Sequence, residues 1–209
     1  MPTIIEFTGS PTSGKTTLIG GIDSLLRHNG FTVMRPQEGA EVFRTVSREI
    51  PMYNVLTGCY AMQNVIQGFS TIGDRVFILL DRALYDAHAW MLFWERRGKL
   101  TKEKRVRFQS FFTDIQWLKN ISACLYVFCE PEEAMARARK DAPTKFPSKE
   151  GNYANERTIH ELIGIFSESF EEMQQKKNPV SSINTTHLTK PEMFDKACEC
   201  IFQQIGLEL

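Results

Sequence analysis

Short apolar runs along the chain alternate with longer segments in which apolar residues recur at helical spacing. The apolar runs predict strands at 3–8, 31–35, 76–80, 123–129 and 180–184. The longer segments predict helices at about 15–28, 53–71, 84–97, 103–118, 131–140, 155–176 and 190–205. This alternation is typical of a parallel sheet that is wrapped by helices. We therefore expect a single α/β domain.

The first predicted strand runs into a loop with a phosphate-binding pattern. Residues 9–16 read G-S-P-T-S-G-K-T, which matches G-x-x-x-x-G-K-[ST] between a strand and a helix. Such a loop curls its backbone N–H groups around the phosphates of a nucleoside triphosphate, and the helix that follows points its positive end at the same charge. Lys15 would reach the β- and γ-phosphates, and Thr16 would offer its hydroxyl to Mg²⁺. The predicted ATP-binding residues are Gly9, Ser10, Pro11, Thr12, Ser13, Gly14, Lys15, Thr16 and Thr17.

Composition and charge narrow the class of protein. The 209 residues are 42% hydrophobic and carry no net charge, which suits one globular domain and gives no global reason to expect nucleic acid or an anionic membrane as partner. The longest apolar runs, 76–80 and 123–129, are too short to span a bilayer, and the N-terminus shows no signal-peptide pattern. We expect a cytoplasmic protein without a membrane partner. The five cysteines lack the paired spacing of a zinc site, which favours reduced thiols.

Charged residues follow the second and third predicted strands, where ligands of such sheets bind. A turn at 35–44 contains Arg35, Glu38 and Arg44. The third strand is followed directly by Asp81 and Arg82. A charged pair that ends an apolar strand is costly without a use, so we predict that Asp81 binds a metal or the acceptor.

A basic helix follows the fourth predicted strand. Arg137 lies on this helix, which leads into a polar, proline-bearing stretch at 141–152. We predict a lid at approximately 137–157 that closes over the donor. Arg137 is our choice for the arginine that contacts the transferring group, with Arg139, Lys140, Lys145 and Arg157 as alternatives.

These motifs resemble those of the P-loop kinases that phosphorylate nucleosides and nucleoside monophosphates, above all thymidylate kinase and the deoxynucleoside kinases. Residues 35–44 are similar to the thymidylate kinase segment in which an Arg-Glu-Pro turn is followed by Gly-Glu and then arginine, although here proline precedes Gln37-Glu38. Asp81-Arg82 resembles that family's Asp-Arg-Tyr, with Ala83 in place of tyrosine. Residues 81–85 equally resemble the Glu-Arg-Ser-x-Tyr of deoxynucleoside kinases, with aspartate in place of glutamate.

The resemblance implies the P-loop NTPase fold, a three-layer α/β/α structure with a five-stranded parallel sheet and a basic lid, here as one domain over 1–209. It also implies ATP as donor, Mg²⁺, and transfer of the γ-phosphoryl group to an acceptor under the long central helices. Thr16 and Asp81 would bind the metal. The predicted catalytic residues are Lys15, Asp81, Arg82, Glu38 and Arg137.

The chemistry of the acceptor decides what the charged residues do. A hydroxyl acceptor profits from a carboxylate that accepts its proton, whereas a phosphate acceptor chiefly needs cations. The sequence offers both carboxylates and cations near the predicted site. The predicted acceptor-binding residues are Arg35, Glu38, Arg44, Gln63 and Tyr85. Gln63 is included because an amide can make paired hydrogen bonds to a base, and deoxynucleoside kinases carry a glutamine on the similar helix.

Three other functions stay open at this stage. Residues 95–107 contain seven basic and two acidic side chains, which would suit a nucleic-acid end as in a polynucleotide kinase, although a solvated corner between helices explains them as well. A kinase of sugars or small metabolites also fits. So does a regulatory ATPase switch that acts through a protein partner, because it too could use a strand ending in Asp81. We expect ATP and a small-molecule acceptor as partners, with nucleic acid disfavoured and a homodimer as one option.

Overall fold

A five-stranded parallel sheet forms the centre of the computed structural model, which describes residues 1–70, 73–145 and 155–209, and the side chains of these except at 141–145. The strands are β1 (Thr3–Gly9), β2 (Thr32–Met34), β3 (Val76–Asp81), β4 (Ile121–Phe128) and β5 (Val180–Asn184). Their order is β2-β3-β1-β4-β5, and every neighbouring pair is parallel. The predicted five-stranded parallel sheet is confirmed.

Helices cover both faces of the sheet. They are α1 (Lys15–His28), α2 (Gly39–Val42), α3 (Pro51–Phe69), α4 (Leu84–Arg96), α5 (Lys102–Phe112), α6 (Ile115–Leu118), α7 (Pro131–Lys145), α8 (Glu156–Gln175) and α9 (Lys190–Ile205). Alternate residues of β1 show the layering, because Ile5 packs in one core with α1 and α9 while Ile4 packs in the other with α3, α4 and α8. The three-layer α/β/α architecture is therefore also confirmed.

Local chemistry explains where the elements differ from the sequence prediction. The helix predicted over 103–118 is two helices, because the Asp114 side chain accepts from the Gln116 backbone N–H and starts α6 as a new N-cap. Strand β2 ends at Met34, just before Arg35 and Pro36, whose ring nitrogen has no hydrogen to donate to a ladder. The single-turn helix α2 was not predicted. Of the lid predicted at 137–157, residues 146–154 lie outside the described part of the chain.

The strand order also fixes where a ligand can enter. The chain leaves β1 for one edge of the sheet and later returns to place β4 on its other side, so the order reverses at β1. A crevice opens beyond the carboxyl ends of the strands at such a reversal. Phe7 pairs in register with Asp81, which brings the phosphate-loop sequence and the end of β3 to the same edge.

Candidate active site

A cleft with a volume of about 890 Å³ lies beyond the carboxyl ends of β1 and β3. Residues 11–17, from the phosphate loop and the start of α1, line one part of it. Asp81 and Arg82 at the end of β3, residues from α2, α3, α4, α7 and α9, and the loop residues Glu38, Arg48, Ala83 and Leu188 line the rest. The two motifs predicted from the sequence, the phosphate loop and the end of β3, therefore share one cavity.

The backbone of the phosphate loop explains its glycines. Gly9 has a φ of 126°, and a Cβ atom there would lie 2.1 Å from the Val127 carbonyl oxygen. Only glycine can hold that position. Thr12 also has a positive φ, 58°, and its hydroxyl bonds the Pro11 carbonyl at 2.7 Å and the Ala134 carbonyl of α7 at 2.9 Å. This hydroxyl therefore ties the loop to the helix that begins the predicted lid.

The Lys15 side chain folds back over the loop. Its Nζ donates to the Ser10 carbonyl at 2.6 Å, to the Gly9 carbonyl at 3.2 Å and to Ser13 Oγ at 3.3 Å. Lys15 is only 6% exposed, and burial, assisted by the nearby Arg82 charge, lowers its pKa to about 7. Among the described residues no carboxylate forms an ion pair with Lys15. An anionic phosphate placed on the loop would supply this charge partner.

Thr16 and Asp81 form the candidate metal site. The Thr16 hydroxyl donates to Asp81 Oδ2 at 3.3 Å, which puts a hydroxyl and a carboxylate oxygen side by side at the mouth of the phosphate loop. Oxygen donors of this kind fit Mg²⁺. Among the described residues no group of three or more His, Cys, Asp and Glu side chains could hold a metal. An ion at Thr16 and Asp81 would complete its coordination with phosphate oxygens and water.

Arg82 lies between two carboxylates deeper in the cleft. Its Nη1 donates to Asp86 Oδ1 at 2.7 Å, and its Nε lies 3.2 Å from Glu38 Oε1. Thr8 of β1 donates to the same Asp86 oxygen at 2.8 Å. Glu38 is mostly buried, which raises its pKa to about 7 although the Arg82 charge opposes the shift. This group of Glu38, Arg82 and Asp86 is called the carboxylate clamp below.

A mostly uncharged wall completes the cleft beside the clamp. It is formed by Tyr53, Asn54, Thr57, Gly58, Ala87 and Trp90. The Trp94 indole N–H donates to Asn54 Oδ1 at 2.8 Å. Because an indole nitrogen can only donate, this bond fixes which end of the Asn54 amide is oxygen and leaves its Nδ2 as a donor. Asn54 Nδ2 finds no acceptor among the described residues and belongs to a side chain that lines the cleft.

The structure does not bring the other predicted acceptor-binding residues into the cleft. Arg35 pairs with Asp23 at 3.3 Å, and Arg44 Nε donates to the Glu41 carbonyl at 2.8 Å. Gln63 is exposed on α3, outside the cleft. Tyr85 is fully buried in the core, with its hydroxyl 3.5 Å from Asn178 Oδ1. Of the five predicted residues, only Glu38 lines the cavity.

Arg137 lines the cleft but is held by other groups of the protein. Its guanidinium donates to Thr185 Oγ1 at 3.0 Å, to the Thr185 carbonyl at 2.9 Å and to the Ser13 carbonyl at 3.4 Å. Its Nε bonds Glu133. Arg137 therefore joins the phosphate loop to the segment after β5. Among the alternatives, Lys140 also lines the cleft, whereas Arg139 and Arg157 do not, and Lys145 is not among the residues whose side chains the structure describes.

Sequence reasoning missed Asp86 and Asn54. Asp86 could have been found, because it follows Arg82 by four residues on a helix and such pairs meet on one face. Asn54 carried no local signal, since its role in the cleft depends on Trp94, forty positions further along the chain.

The basic segment 95–107 is largely neutralised. Arg96 and Arg97 pair with Glu168 and Glu161 of α8, Arg105 pairs with Glu95, and Arg107 pairs with Glu103. The Lys99 ammonium donates to the Glu49 carbonyl. The solvated helix corner explains this segment without a nucleic-acid partner.

Solved structures share this architecture across nearly the whole chain. Thymidylate kinase from Candida albicans superposes with a TM-score of 0.64 at 15% identity, covering 97% of this chain and 92% of its own. Deoxyadenosine kinase from M. mycoides, solved with bound dCTP, superposes with a TM-score of 0.64 at 13% identity, covering 94% of this chain and 97% of its own. The chain has the fold of P-loop nucleoside and nucleotide kinases.

This kinase fold was the one implied by the motif resemblance. No protein-family model matches the chain, and no curated protein matches it by sequence. In the described part of the chain, no helix combines the length and apolarity needed to cross a membrane.

Proposed function

We propose that this chain is an ATP-dependent kinase that transfers the γ-phosphoryl group to a hydroxyl of a nucleoside. The donor half of the proposal is supported by the phosphate loop, the buried Lys15 ammonium and the adjacent oxygens of Thr16 and Asp81. These groups would hold the triphosphate and its Mg²⁺. When bound, Mg²⁺ would offset the charge that builds up on the phosphate oxygens.

The carboxylate clamp is the single observation that carries the choice of acceptor. Its only cation, Arg82, contacts carboxylates on both sides, at Glu38 and Asp86. A phosphate acceptor would have to compete with these carboxylates for the guanidinium and would meet their negative charge. A hydroxyl acceptor meets neither difficulty and gains a carboxylate that can accept its proton.

The placement of the remaining arginines supports the same choice. Neither Arg35 nor Arg44, which a phosphate acceptor would have used, lines the cleft: Arg35 pairs with Asp23, and Arg44 donates to the Glu41 carbonyl. Apart from the phosphate loop, α7 and α9, the charged residues that line the cleft are Glu38, Glu41, Asp81, Asp86, Arg48 and Arg82. Without Asp81, which belongs to the candidate metal site, this part of the cleft has three carboxylates and two cations.

Within this proposal Glu38 acts as the general base. Arg82 orients its carboxylate at 3.2 Å and stabilises the ionised form, while burial favours the protonated form. The resulting pKa of about 7 lies near neutral pH, where a general base works best. Lys15 would move from its contacts with the loop carbonyls to the β- and γ-phosphates and share their charge.

A nucleobase fits the wall beside the clamp. Trp90 and Tyr53 offer aromatic surface, and Asn54 Nδ2 offers a hydrogen-bond donor of fixed orientation. A base whose edge carries an acceptor oxygen or nitrogen would satisfy this donor. We assign to Asn54 the base-reading role that was predicted for Gln63.

Transfer of label tests the proposal. The protein is incubated with Mg²⁺ and ATP labelled on the γ-phosphate, together with nucleosides, nucleoside monophosphates, 5′-hydroxyl oligonucleotides or phosphorylatable sugars in separate reactions. We expect labelled nucleoside monophosphate. Label on nucleoside monophosphates alone would refute the hydroxyl acceptor and keep a kinase, whereas hydrolysis of ATP that no acceptor accelerates would favour the regulatory switch.

A further inference from the structure

Glu6 is a carboxylate in the middle of the buried strand β1. It is 0% exposed, and its neighbours in the strand, Ile5 and Phe7, are fully buried apolar residues. It does not line the cleft and is not part of the phosphate loop. A buried carboxylate of this kind is costly unless hydrogen bonds satisfy it.

Hydrogen bonds to Glu6 come from the first turn of α4. The backbone N–H groups of Ala83 and Asp86 donate to Oε1 at 3.0 and 2.9 Å. Those of Leu84 and Tyr85 donate to Oε2 at 2.9 and 3.2 Å. Both oxygens therefore accept two N–H groups each, and a single side chain satisfies four consecutive backbone donors.

These are donors that a helix cannot satisfy by itself. The first N–H groups of any α-helix lack a partner within the helix, and a side chain at the N-cap position usually supplies one. Ala83 occupies that position in α4 and has no oxygen to offer. Glu6 takes over the role from the neighbouring strand. Burial raises the pKa of Glu6 to about 7, but its backbone N–H donors favour the ionised form, whose charge lies at the positive end of the helix.

The capped turn carries the chemistry of the cleft. Asp81 ends β3, Arg82 follows with a φ of 64°, and Asp86 lies in the first turn of α4. Such a left-handed conformation is uncommon outside glycine and persists where its surroundings enforce it. The Arg82 backbone N–H donates to the Phe7 carbonyl at 3.0 Å, so β1 holds the turn through the Glu6 side chain and through the Phe7 backbone.

We propose that Glu6 is a positioning residue: its carboxylate caps α4 from β1 and so fixes the turn that directs Asp81, Arg82 and Asp86 into the cleft. The contact requires a carboxylate. A glutamine of the same shape has one acceptor oxygen, and its NH₂ group would face N–H donors that it cannot accept. Glu6→Gln therefore removes half of the cap with little change in volume.

Two measurements on Glu6→Gln test the proposal without depending on the acceptor. Hydrogen exchange monitored by mass spectrometry or NMR follows the amides of residues 83–86, which we expect to exchange slowly in the natural protein and at least about tenfold faster in the variant. Binding of ATP is then measured with and without Mg²⁺. We expect Mg²⁺-free binding to be unchanged, because the phosphate loop is intact, and the gain in affinity on adding Mg²⁺ to shrink, because Asp81 has moved.

A matched control separates positioning from a general loss of stability. Ile5 is equally buried in β1 but packs in the other core, away from α4. The control is Ile5→Val or Ile5→Ala, whichever has a Tm closer to that of Glu6→Gln. This variant should retain slow amide exchange at 83–86 and the full gain in ATP affinity on adding Mg²⁺. Where an acceptor is known, kcat of Glu6→Gln should fall about 10- to 100-fold while the Mg²⁺-free ATP affinity holds.

The outcomes divide cleanly. The proposal would be overturned if Glu6→Gln showed the same amide exchange rates at 83–86 and the same gain in ATP affinity with Mg²⁺ as the natural protein. It would also be overturned if the changes in Glu6→Gln were equal to those in the Ile5 control. If Glu6→Gln fails to fold, Glu6→Asp keeps the charge but shortens the reach, and should show the same local pattern. Rapid exchange at 83–86 in the natural protein would overturn the proposal by itself. Failure to find a phosphoryl acceptor would refute the proposed function and leave these two readouts intact.

Discussion

Arg82 Nη1 donates to Asp86 Oδ1 at 2.7 Å, one helical turn further along the chain. With Glu38 on its other side at 3.2 Å, the Arg82 guanidinium is committed to carboxylates rather than open to an anionic ligand. In this geometry the arginine orients Glu38, which is why we propose that Glu38 accepts the proton of the acceptor hydroxyl.

Glu38→Gln should abolish most phosphoryl transfer. The amide keeps the shape and the contact to Arg82 but cannot accept a proton, so we expect kcat to fall about 10²- to 10⁴-fold with a smaller change in the acceptor KM. Steady-state kinetics with the acceptor found by labelling provides the measurement. Glu49→Gln is the matched control, because Glu49 is exposed outside the cleft. A Glu38→Gln enzyme with natural kcat would remove the general base from the mechanism.

The rate should depend on pH through Glu38. Burial raises the pKa of this carboxyl to about 7, and the base must be ionised to accept a proton. At saturating ATP, kcat/KM for the acceptor should therefore rise about tenfold per pH unit below 7 and level off above it. The profile is measured between pH 5 and 9. A rate independent of pH across the region around 7 would contradict this role of Glu38.

Binding of ATP should take up a proton at Lys15. Burial lowers the pKa of Lys15 to about 7 in the free protein, so a large fraction of the amine is neutral at pH 8. Phosphate favours the charged form, and the affinity for ATP should fall as the pH rises above 7. Calorimetry at pH 8 in buffers of different ionisation enthalpy measures the uptake directly.

A variant of Lys15 gives the control for this measurement. Lys15→Arg keeps a positive charge that does not titrate in this range, so any ATP binding that it retains should occur without the buffer dependence. Lys15→Ala should lose most transfer activity while keeping the fold, because the phosphates lose their cation. Identical heats of binding in all buffers for the natural protein would show that Lys15 is already charged.

The elements of the fold follow patterns that are local in the sequence. The apolar runs in β3 and β4 are continuous because these strands are buried on both faces, and the loop at 9–16 needs Gly9 for the close approach to Val127. The sequence also predicted correctly that Asp81 and Arg82 lie at the carboxyl edge of the sheet. These conclusions required only neighbours in the chain.

Contacts between distant residues decide the rest of the site. Arg35 was predicted to bind the acceptor because it follows β2, but in the structure it pairs with Asp23 of α1 and does not line the cleft. Asn54 lines the cleft from α3, and the orientation of its amide is fixed by the distant Trp94. Glu6 shows the converse case: a charge inside an apolar strand is a visible signal, but its partners in α4 are known only once the chain has folded.

Asp81→Asn should lower turnover far more than ATP affinity. The amide preserves the hydrogen bond from Thr16 but is a weaker ligand for Mg²⁺ than a carboxylate. Titration of the rate with Mg²⁺ should show a higher requirement for the ion, and Kd for Mg²⁺-free ATP should stay at its natural value. Asp74→Asn, at an exposed aspartate outside the cleft, serves as control. Equal losses of turnover and Mg²⁺-free affinity would point to a structural role for Asp81.

Asn54 should set the preference among acceptors. Trp94 occupies its oxygen, which leaves Nδ2 as the donor of a side chain that lines the cleft, so Asn54→Asp replaces a donor with an acceptor and a charge at the same place. We expect the acceptor kcat/KM to fall about tenfold or more, through KM, because a buried polar edge of the base is left without its partner. Trp94→Phe should weaken the discrimination between bases less than Asn54→Asp does, because the Asn54 amide remains but is no longer held in one orientation. The two variants are compared with competing nucleosides that differ in their base edges. An Asn54→Asp enzyme with the natural order of preference would mean that the base is read elsewhere in the cleft.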